Sequence, residues 1–419
     1  MRAELILLAA YAAVLVPLLS LLPLWVDEVL QLIGTRSATL LGLLQWCTFS
    51  VGATPLAYFV QRGAIQAFGY SMFVARLPAA FFGVASVAAA GLLARRLGLK
   101  HPILAMALFA LLPLNFRYAL EARVYSQAVF LSILSTLAFL WFRERPGWRR
   151  GVAYCLTVAA ALYTMPYAFF VALAHFIRAP RLTLAPVMAA GCMFLPWYLY
   201  ARDGWARGSV QSGNHFHADW KTPLMMLKEI TGAGYVGGVL LLAAASLGFI
   251  LHFAPVKRSE PGLLLATVFV PLLGALVVDF ASGYFIAIRQ VIFILPALIL
   301  LAAASPRIMV VALLAVSLVA DVRWFLRPRE DWAIAARALR ETGACIVVAP
   351  ERSTLIYTFF EPLRACTVND SAVAIAVTPY TSDAEERKAV DEFERRGFTS
   401  KGTQSAGRTL IMTYARPSN

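Results

Sequence analysis

Two short stretches hold residues whose types and spacing could do chemistry. Asp27 and Glu28 follow closely on a long apolar run, and Glu121 stands in a seven-residue turn between Arg117 and Arg123. A carboxylate can take the proton from an attacking hydroxyl. Arginines can hold a phosphate and offset negative charge as it leaves. A phosphate leaving group departs as a stable anion, so it needs cations more than a strong acid. Arg62, Arg117, Arg123 and Arg289 are available for that. Acid plus arginine at a membrane surface therefore suits transfer from a lipid-phosphate donor. The plainer alternative is helix capping, with Asp27 as an N-cap. Ionisable groups at membrane depth are expensive and usually face a cavity, which argues for function.

The elements that must position these residues are membrane spans. Of 419 residues, 60% are hydrophobic and 14% charged, and mean hydropathy is +0.71. A soluble domain runs near 45–50% apolar and about 25% charged. The composition excludes a soluble enzyme, a fibrous chain and a disordered one. A helix needs about 20 apolar residues to cross a bilayer. Eleven spans are expected, near 5–24, 77–94, 102–116, 124–142, 151–164, 166–178, 183–201, 235–253, 262–279, 290–304 and 307–322, with kinks at Pro113, Pro166 and Pro196. The first reads as an uncleaved span, since no small-residue cleavage site follows it. The fold class is thus a polytopic α-helical membrane domain, residues 1–326, with a small α/β domain at 327–419.

Charge orients the spans. Net charge is +14; residues 321–419 carry 14 basic and 13 acidic groups, so the excess lies among the spans. One alternate set of short loops holds Arg95, Arg96 and Lys100; Arg143, Arg145, Arg149 and Arg150; Arg178 and Arg181; Lys257 and Arg258; and Arg307. By the positive-inside rule these are cytoplasmic, in an inner-membrane protein with a cytoplasmic N-terminus. Loops 25–76, 117–123, 202–234 and 280–289 and the tail are then outside. Part of the basic excess can meet anionic lipid. No basic tract stands clear of the apolar runs, which excludes nucleic acid as a partner.

Residues 25–76 carry apolar positions at helical spacing in 27–33, 38–49 and 55–68, which predicts amphipathic interfacial helices. The tail predicts helices at 331–342, 351–360 and 382–396 and strands at 345–349, 371–377 and 408–415. Five cysteines are too few for a disulfide framework. Cys155 and Cys192 read as small core residues, while Cys345 and Cys366 could pair if the tail is outside.

In order along the chain, Trp25-Val26-Asp27-Glu28, Thr54-Pro55-Leu56-Ala57-Tyr58, Arg76-Leu77-Pro78, Glu121-Ala122-Arg123-Val124-Tyr125-Ser126 and Arg289-Gln290 with Leu295-Pro296-Ala297 resemble the GT-C glycosyltransferases. The branch is the bacterial one related to protein O-mannosyltransferases and lipid A aminoarabinose transferases. The resemblance covers the first four spans and the end of the membrane domain; residues 150–280 match in hydropathy only. It implies an inverting transferase that moves a monosaccharide from a polyprenyl-phosphate donor to a hydroxyl acceptor on a glycan, lipid or protein. Asp27 would be the base, Glu28 its partner or a structural acid, and Glu121 the acid of the second outer loop. Arg289, Arg123 and Arg117 would face the donor phosphate, and Tyr58 and Tyr125 would line the substrate. Two departures bear on substrate: Ala53, Thr54 and Ala57 replace a basic or polar head and a tyrosine, and Gln290 replaces a tyrosine.

Other signals weigh less. His215, His217 and Asp219 have spacing that could chelate a divalent metal, though two histidines and one aspartate in a loop are a weak signal; GT-C enzymes occur with and without a metal. His175 reads as a satisfied core residue, and Trp25, Trp141, Trp197 and Trp324 as an aromatic belt. The competing class is a transporter or flippase for a lipid-linked sugar. Such proteins often show internal repeats and midplane charges, whereas here no repeat is visible and the charges gather at the outer surface. A non-catalytic relative, or a chain whose tail is the working part, are the remaining alternatives. An apolar cavity open to lipid is expected near spans three to six and ten.

Overall fold

The computed structural model describes residues 2–50, 52–212, 218–253, 260–282, 287–367 and 369–417. Contacts divide the chain into two units: Met1–Leu19 with Gly34–Leu326, and Ser20–Ile33 with Arg327–Asn419. The segment carrying Asp27 and Glu28 thus groups with the tail, not with the spans.

The first helices are α1 (Arg2–Leu18), α2 (Val26–Thr35), α3 (Leu40–Phe49), α4 (Pro55–Phe68) and α5 (Met72–Arg96). Short polar caps start two of them. Thr39 Oγ1 accepts from the Gly42 N–H at 3.0 Å and Ser71 Oγ from the Val74 N–H at 3.2 Å, satisfying donors that a helix leaves open. Then come α6 (Pro102–Leu111), α7 (Pro113–Ala119), α8 (Tyr125–Glu144), α9 (Trp148–Leu162), α10 (Phe169–Arg178), α11 (Pro180–Ser212), α12 (Thr222–Glu229), α13 (Gly234–Gly248), α14 (Glu260–Ser282), α15 (Leu295–Ala303) and α16 (Arg307–Phe325).

Among the described residues six helices are long and apolar enough to cross a bilayer: α5, α8, α11, α13 with its continuation to His252, α14 and α16. The pair α6 and α7, bent by 65°, would make a seventh. The bend falls at Pro113, where the missing N–H and the ring interrupt the ladder. Pro166 likewise opens a 3₁₀ turn between α9 and α10, but Pro196 sits within α11, which runs on unbroken. The other expected spans, at 5–24, 151–164, 166–178 and 290–304, form shorter helices.

Within this unit α5 packs on α8, α8 on α9, α10 on α14, and α13 on α15. His175 of α10 is fully buried, bonded to Thr136 Oγ1 at 3.2 Å and Tyr154 Oη at 3.1 Å and stacked on Phe139. Cys155 is buried as expected, whereas Cys192 is exposed on α11, most of whose apolar surface faces out of the protein.

Polar contacts also sort the helix ends. Arg95 pairs with Glu4 at 2.7 Å, Arg96 with Glu144, and Arg307 with His101. The basic ends of α5, α8 and α16 therefore gather on one face of this unit. The start of α5 lies roughly 36 Å away at 1.5 Å per residue, and that is where the turn between α7 and α8 attaches.

In the other unit, α17 (Trp332–Glu341), α18 (Thr354–Phe360) and α19 (Asp383–Arg395) accompany β1 (Cys345–Ala349), β2 (Ala372–Val377), β3 (Thr399–Ala406) and β4 (Thr409–Ala415). The sheet order is β1-β2-β4-β3, with β1 parallel to β2 and the other pairs antiparallel. Strand β3 escapes sequence reading because its residues, Thr-Ser-Lys-Gly-Thr-Gln-Ser-Ala, form an exposed edge with no apolar alternation. The core is built from Val373, Ile375, Phe393, Phe398 and Tyr414. Ser382 and Glu385 form a capping box at the start of α19, and Cys345 is disulfide-bonded to Cys366.

Candidate active site

In the membrane unit the turn between α7 and α8 is held from three sides. Gln61 of α4 is buried; its Nε2 donates to the Ala75 carbonyl at 2.8 Å and the Ala122 carbonyl at 3.4 Å, and its Oε1 accepts from Thr35 Oγ1 at 2.7 Å. One amide thereby joins the end of α2, the start of α5 and the turn carrying Glu121 and Arg123. The turn closes on itself as the Arg123 N–H donates to the Glu121 carbonyl at 2.7 Å. Arg123 Nη2 donates to Tyr125 Oη at 3.4 Å, and the Tyr125 ring lies 4.4 Å from that of Tyr118.

The next contact joins this turn to the loop after α12. The Leu114 N–H donates to the Thr231 carbonyl at 2.9 Å. Gly232, at φ +75°, fits against it: a Cβ there would meet Leu114 N at 3.0 Å and Arg117 Nη1 at 3.3 Å. Both the positive φ and the close approach demand glycine. Arg117 Nη2 donates to the Ala320 carbonyl of α16 at 3.4 Å, with its guanidinium 5.2 Å from the Trp324 ring centre. Asp321 lies within electrostatic reach of it.

Glu229 precedes this loop and feels the charge of Arg289. Burial raises its carboxyl above the usual glutamate range, and Lys228 and Arg289 pull it back. Arg289 lies in a 3₁₀ segment, Ile288–Ile294, that leads into α15. Next to both residues opens an apolar cavity of about 600 Å³, lined among others by Leu227, Ile230, Phe249, Val268, Ile288 and Leu298. Ile230 adjoins Glu229 and Ile288 adjoins Arg289. The cavity thus lies among α12, α13, α14 and α15, the eighth to tenth of the expected spans. Span ten takes part; spans three to six do not.

In the tail unit, α2 starts at Val26, so Asp27 and Glu28 occupy its first turn and Asp27 is not an N-cap. Glu28 is 1% exposed, and its Oε2 accepts from the Trp25 N–H at 3.3 Å. An acid three residues into a helix that reaches back to the cap is half of a capping box; it also suits the positive end of the helix dipole. Asp27 is half-buried and lies within electrostatic reach of Tyr380. Tyr380 Oη donates to Glu330 Oε1 at 2.6 Å, and its ring stacks on Trp332, 6.3 Å between centres. Burial, then Glu330 and then Asp27 raise the Tyr380 phenol far above its ordinary range; Arg408 acts against them.

The structure therefore brings Glu121, Arg123, Arg117 and Tyr125 into one connected turn and sets Arg289 beside Glu229. Tyr58 is buried in a packed cluster with Leu43, Cys47, Trp197 and Ala201, which leaves its ring little open surface. Arg62 spends its guanidinium on the carbonyls of Thr35, Ser37 and Ala38. His215 and His217 lie outside the described residues. Asp219 Oδ1 accepts from the Lys221 N–H at 2.9 Å and from Thr222 Oγ1 at 3.2 Å, a local turn. Among the described residues no group of three or more His, Cys, Asp or Glu could hold a metal. Sequence reasoning missed Gln61, Glu229, Glu330 and Tyr380; each carries no motif and gains meaning only from distant partners.

No protein-family model matches the sequence, and no curated protein matches it. The fold is similar to two solved structures of ArnT from Cupriavidus metallidurans. The apo structure superposes with a TM-score of 0.61 at 13% identity, covering 98% of each chain. The structure bound to undecaprenyl phosphate gives 0.50 at 13% identity, covering 99% of this chain and 98% of that one. At this identity what is shared is the fold: the chain has the fold of ArnT, and its apolar helices make it an integral membrane protein.

Proposed function

We propose that this protein is an inverting membrane glycosyltransferase that moves a monosaccharide from a polyprenyl-phosphate donor to a hydroxyl acceptor on the outer side of the inner membrane. The observation that carries this is an arginine next in the chain to a wall residue of the apolar cavity: Arg289 directly follows Ile288, which lines it. An apolar volume of this size takes a lipid chain, and a guanidinium at its edge takes the phosphate. The similar ArnT structure holds undecaprenyl phosphate, a ligand of that chemistry.

Each group then has a role. Arg289 binds the donor phosphate, and Arg123 and Arg117 add positive potential on the adjoining turn. Glu121 keeps that turn's charge balanced. Asp27 accepts the proton of the attacking hydroxyl as the sugar–phosphate bond breaks and the phosphate leaves with the bonding pair. Glu28 holds the helix start that presents Asp27. The departing phosphate remains an anion and needs no proton.

Orientation follows from the basic loop ends gathered on one face and from the Cys345–Cys366 disulfide, since disulfides persist in oxidising compartments. The tail belongs outside. A reporter fused after Asn419 should be active only in an extracytoplasmic assay; cytoplasmic activity would overturn the orientation. For the reaction, purified protein is assayed with a polyprenyl-phosphate sugar and acceptor extract. Release of polyprenyl phosphate that depends on both Asp27 and Arg289 supports the reading. Transport of the intact lipid between leaflets without sugar transfer would replace it with the flippase alternative.

A further inference from the structure

Glu229 has a position that the roles above do not use. It ends α12, and the next residue, Ile230, lines the apolar cavity, as does Ile288 before Arg289. The two chain segments that bring a carboxylate and a guanidinium to the cavity are thus neighbours across its wall. The Glu229 carbonyl accepts from the Gly232 N–H at 2.9 Å, closing the turn whose Thr231 is bonded to Leu114 and whose Gly232 packs on Arg117. The turn is fixed at both ends, so Glu229 cannot drift far.

Its carboxylate oxygens are not sealed in, and among the described residues the side chain makes no hydrogen bond or ion pair. A carboxylate that is partly desolvated yet unbonded is costly. Arg289 offsets some of that cost through space. A carboxylate oxygen accepts hydrogen bonds strongly, and a pair of neighbouring hydroxyls can satisfy both oxygens at once.

Resting on the reading of Arg289 as the donor-phosphate ligand, we infer that Glu229 is the specificity-determining residue for the donor's sugar. It accepts hydrogen bonds from hydroxyl groups of the monosaccharide attached to that phosphate. Glu229 lies within electrostatic reach of Arg289, and a phosphate-linked ring stands close to its phosphate. A polyprenyl phosphate without a sugar makes no use of Glu229. Loss of a site's hydrogen-bond partner discriminates far more strongly than loss of apolar fit.

The test compares binding of bare undecaprenyl phosphate with that of its mannosyl, glucosyl, galactosyl and arabinosyl phosphodiesters. Wild-type protein, Glu229→Gln, Glu229→Ala and Arg289→Ala are measured in detergent micelles. At least one glycosylated lipid should bind wild type ten-fold or more tighter than the bare lipid. Glu229→Ala should erase that gain while leaving bare-lipid affinity within about two-fold. Glu229→Gln, which keeps one acceptor oxygen, should fall between. If no glycosylated lipid gains over the bare one, or if Glu229→Ala keeps the gain, the inference is overturned. Arg289→Ala reads the underlying proposal separately: it should weaken bare and glycosylated lipids alike. An unchanged bare-lipid affinity there would remove the phosphate assignment itself.

Discussion

The start of α2 and the turn between α7 and α8 both offer an acidic residue near charged neighbours, yet their surroundings differ in sign. In the tail unit Asp27 acts on Tyr380, as do Glu330 and Arg408. Around Glu121 the membrane unit supplies Arg123 in the same turn and Arg117 one helix turn earlier, with Arg289 across the adjoining loop. In the first region burial, Glu330 and Asp27 raise the Tyr380 phenol. The second is rich in guanidinium groups. A reaction that takes a proton from one partner and releases phosphate from the other calls for both kinds of environment. The same residue types therefore sit in different electrostatic surroundings because of what the fold places beside them.

The largest expected effect breaks this comparison directly. Asp27→Asn should lower transfer by about 10²–10⁴-fold, the usual contribution of a general base, with folding and membrane insertion intact because the change is nearly isosteric. Purified variants assayed for sugar transfer decide it. If Asp27→Asn kept wild-type turnover while Glu121→Gln lost it, the two regions would have exchanged roles; if both stayed active, neither holds the base.

Next comes the disulfide. Removing it with Cys345→Ser and Cys366→Ser reopens a 21-residue separation. Chain-entropy reasoning puts the loss at about 3 kcal/mol. The tail should become protease-sensitive while the membrane helices keep their helical signal. Uniform loss of both would show that the units do not unfold separately.

Arg289→Ala should weaken donor binding by about 10–100-fold, the loss of one or two charge-assisted hydrogen bonds. The KM for donor should rise more than kcat falls, opposite to Asp27→Asn. Equal effects on both parameters would mean that Arg289 acts in the transition state.

Glu28→Ala should cost about 1 kcal/mol of stability through the lost cap interaction, and Glu28→Gln less, since an amide oxygen still accepts from the Trp25 N–H. Thermal unfolding measures the first. A collapse of activity in Glu28→Gln with unchanged stability would instead make Glu28 a participant in proton transfer.

The smallest effect concerns pH. Glu229 has its carboxyl raised by burial, so protonation favours the folded state. That contribution is present below the ordinary glutamate value of about 4.3 and is lost as pH rises through the higher folded value. Glu229→Gln should therefore flatten the apparent unfolding temperature just above that range. An unchanged slope would place the carboxylate in water.

Much of this protein could be read from its residues. Hydropathy and the basic loops located the apolar helices, because a bilayer imposes length and composition on each span separately. Helical spacing placed the three helices between 26 and 68, and apolar runs placed β1, β2 and β4. Ordered short motifs pointed to the fold shared with ArnT, since those motifs are local in the chain. The rest is long-range. Strand β3 is polar along its length and exists because β4 offers it an edge. Glu28 is a cap because α2 begins at Val26. Segment 20–33 groups with residues more than three hundred positions away, and no local pattern encodes such a partner. The cavity forms where α12 to α15 leave space, and Glu229 gains a role from Arg289, 60 residues on. Sequence sets what each segment can be; which charges meet is decided by packing, because electrostatic and hydrogen-bond energies depend on distance in space and not along the chain.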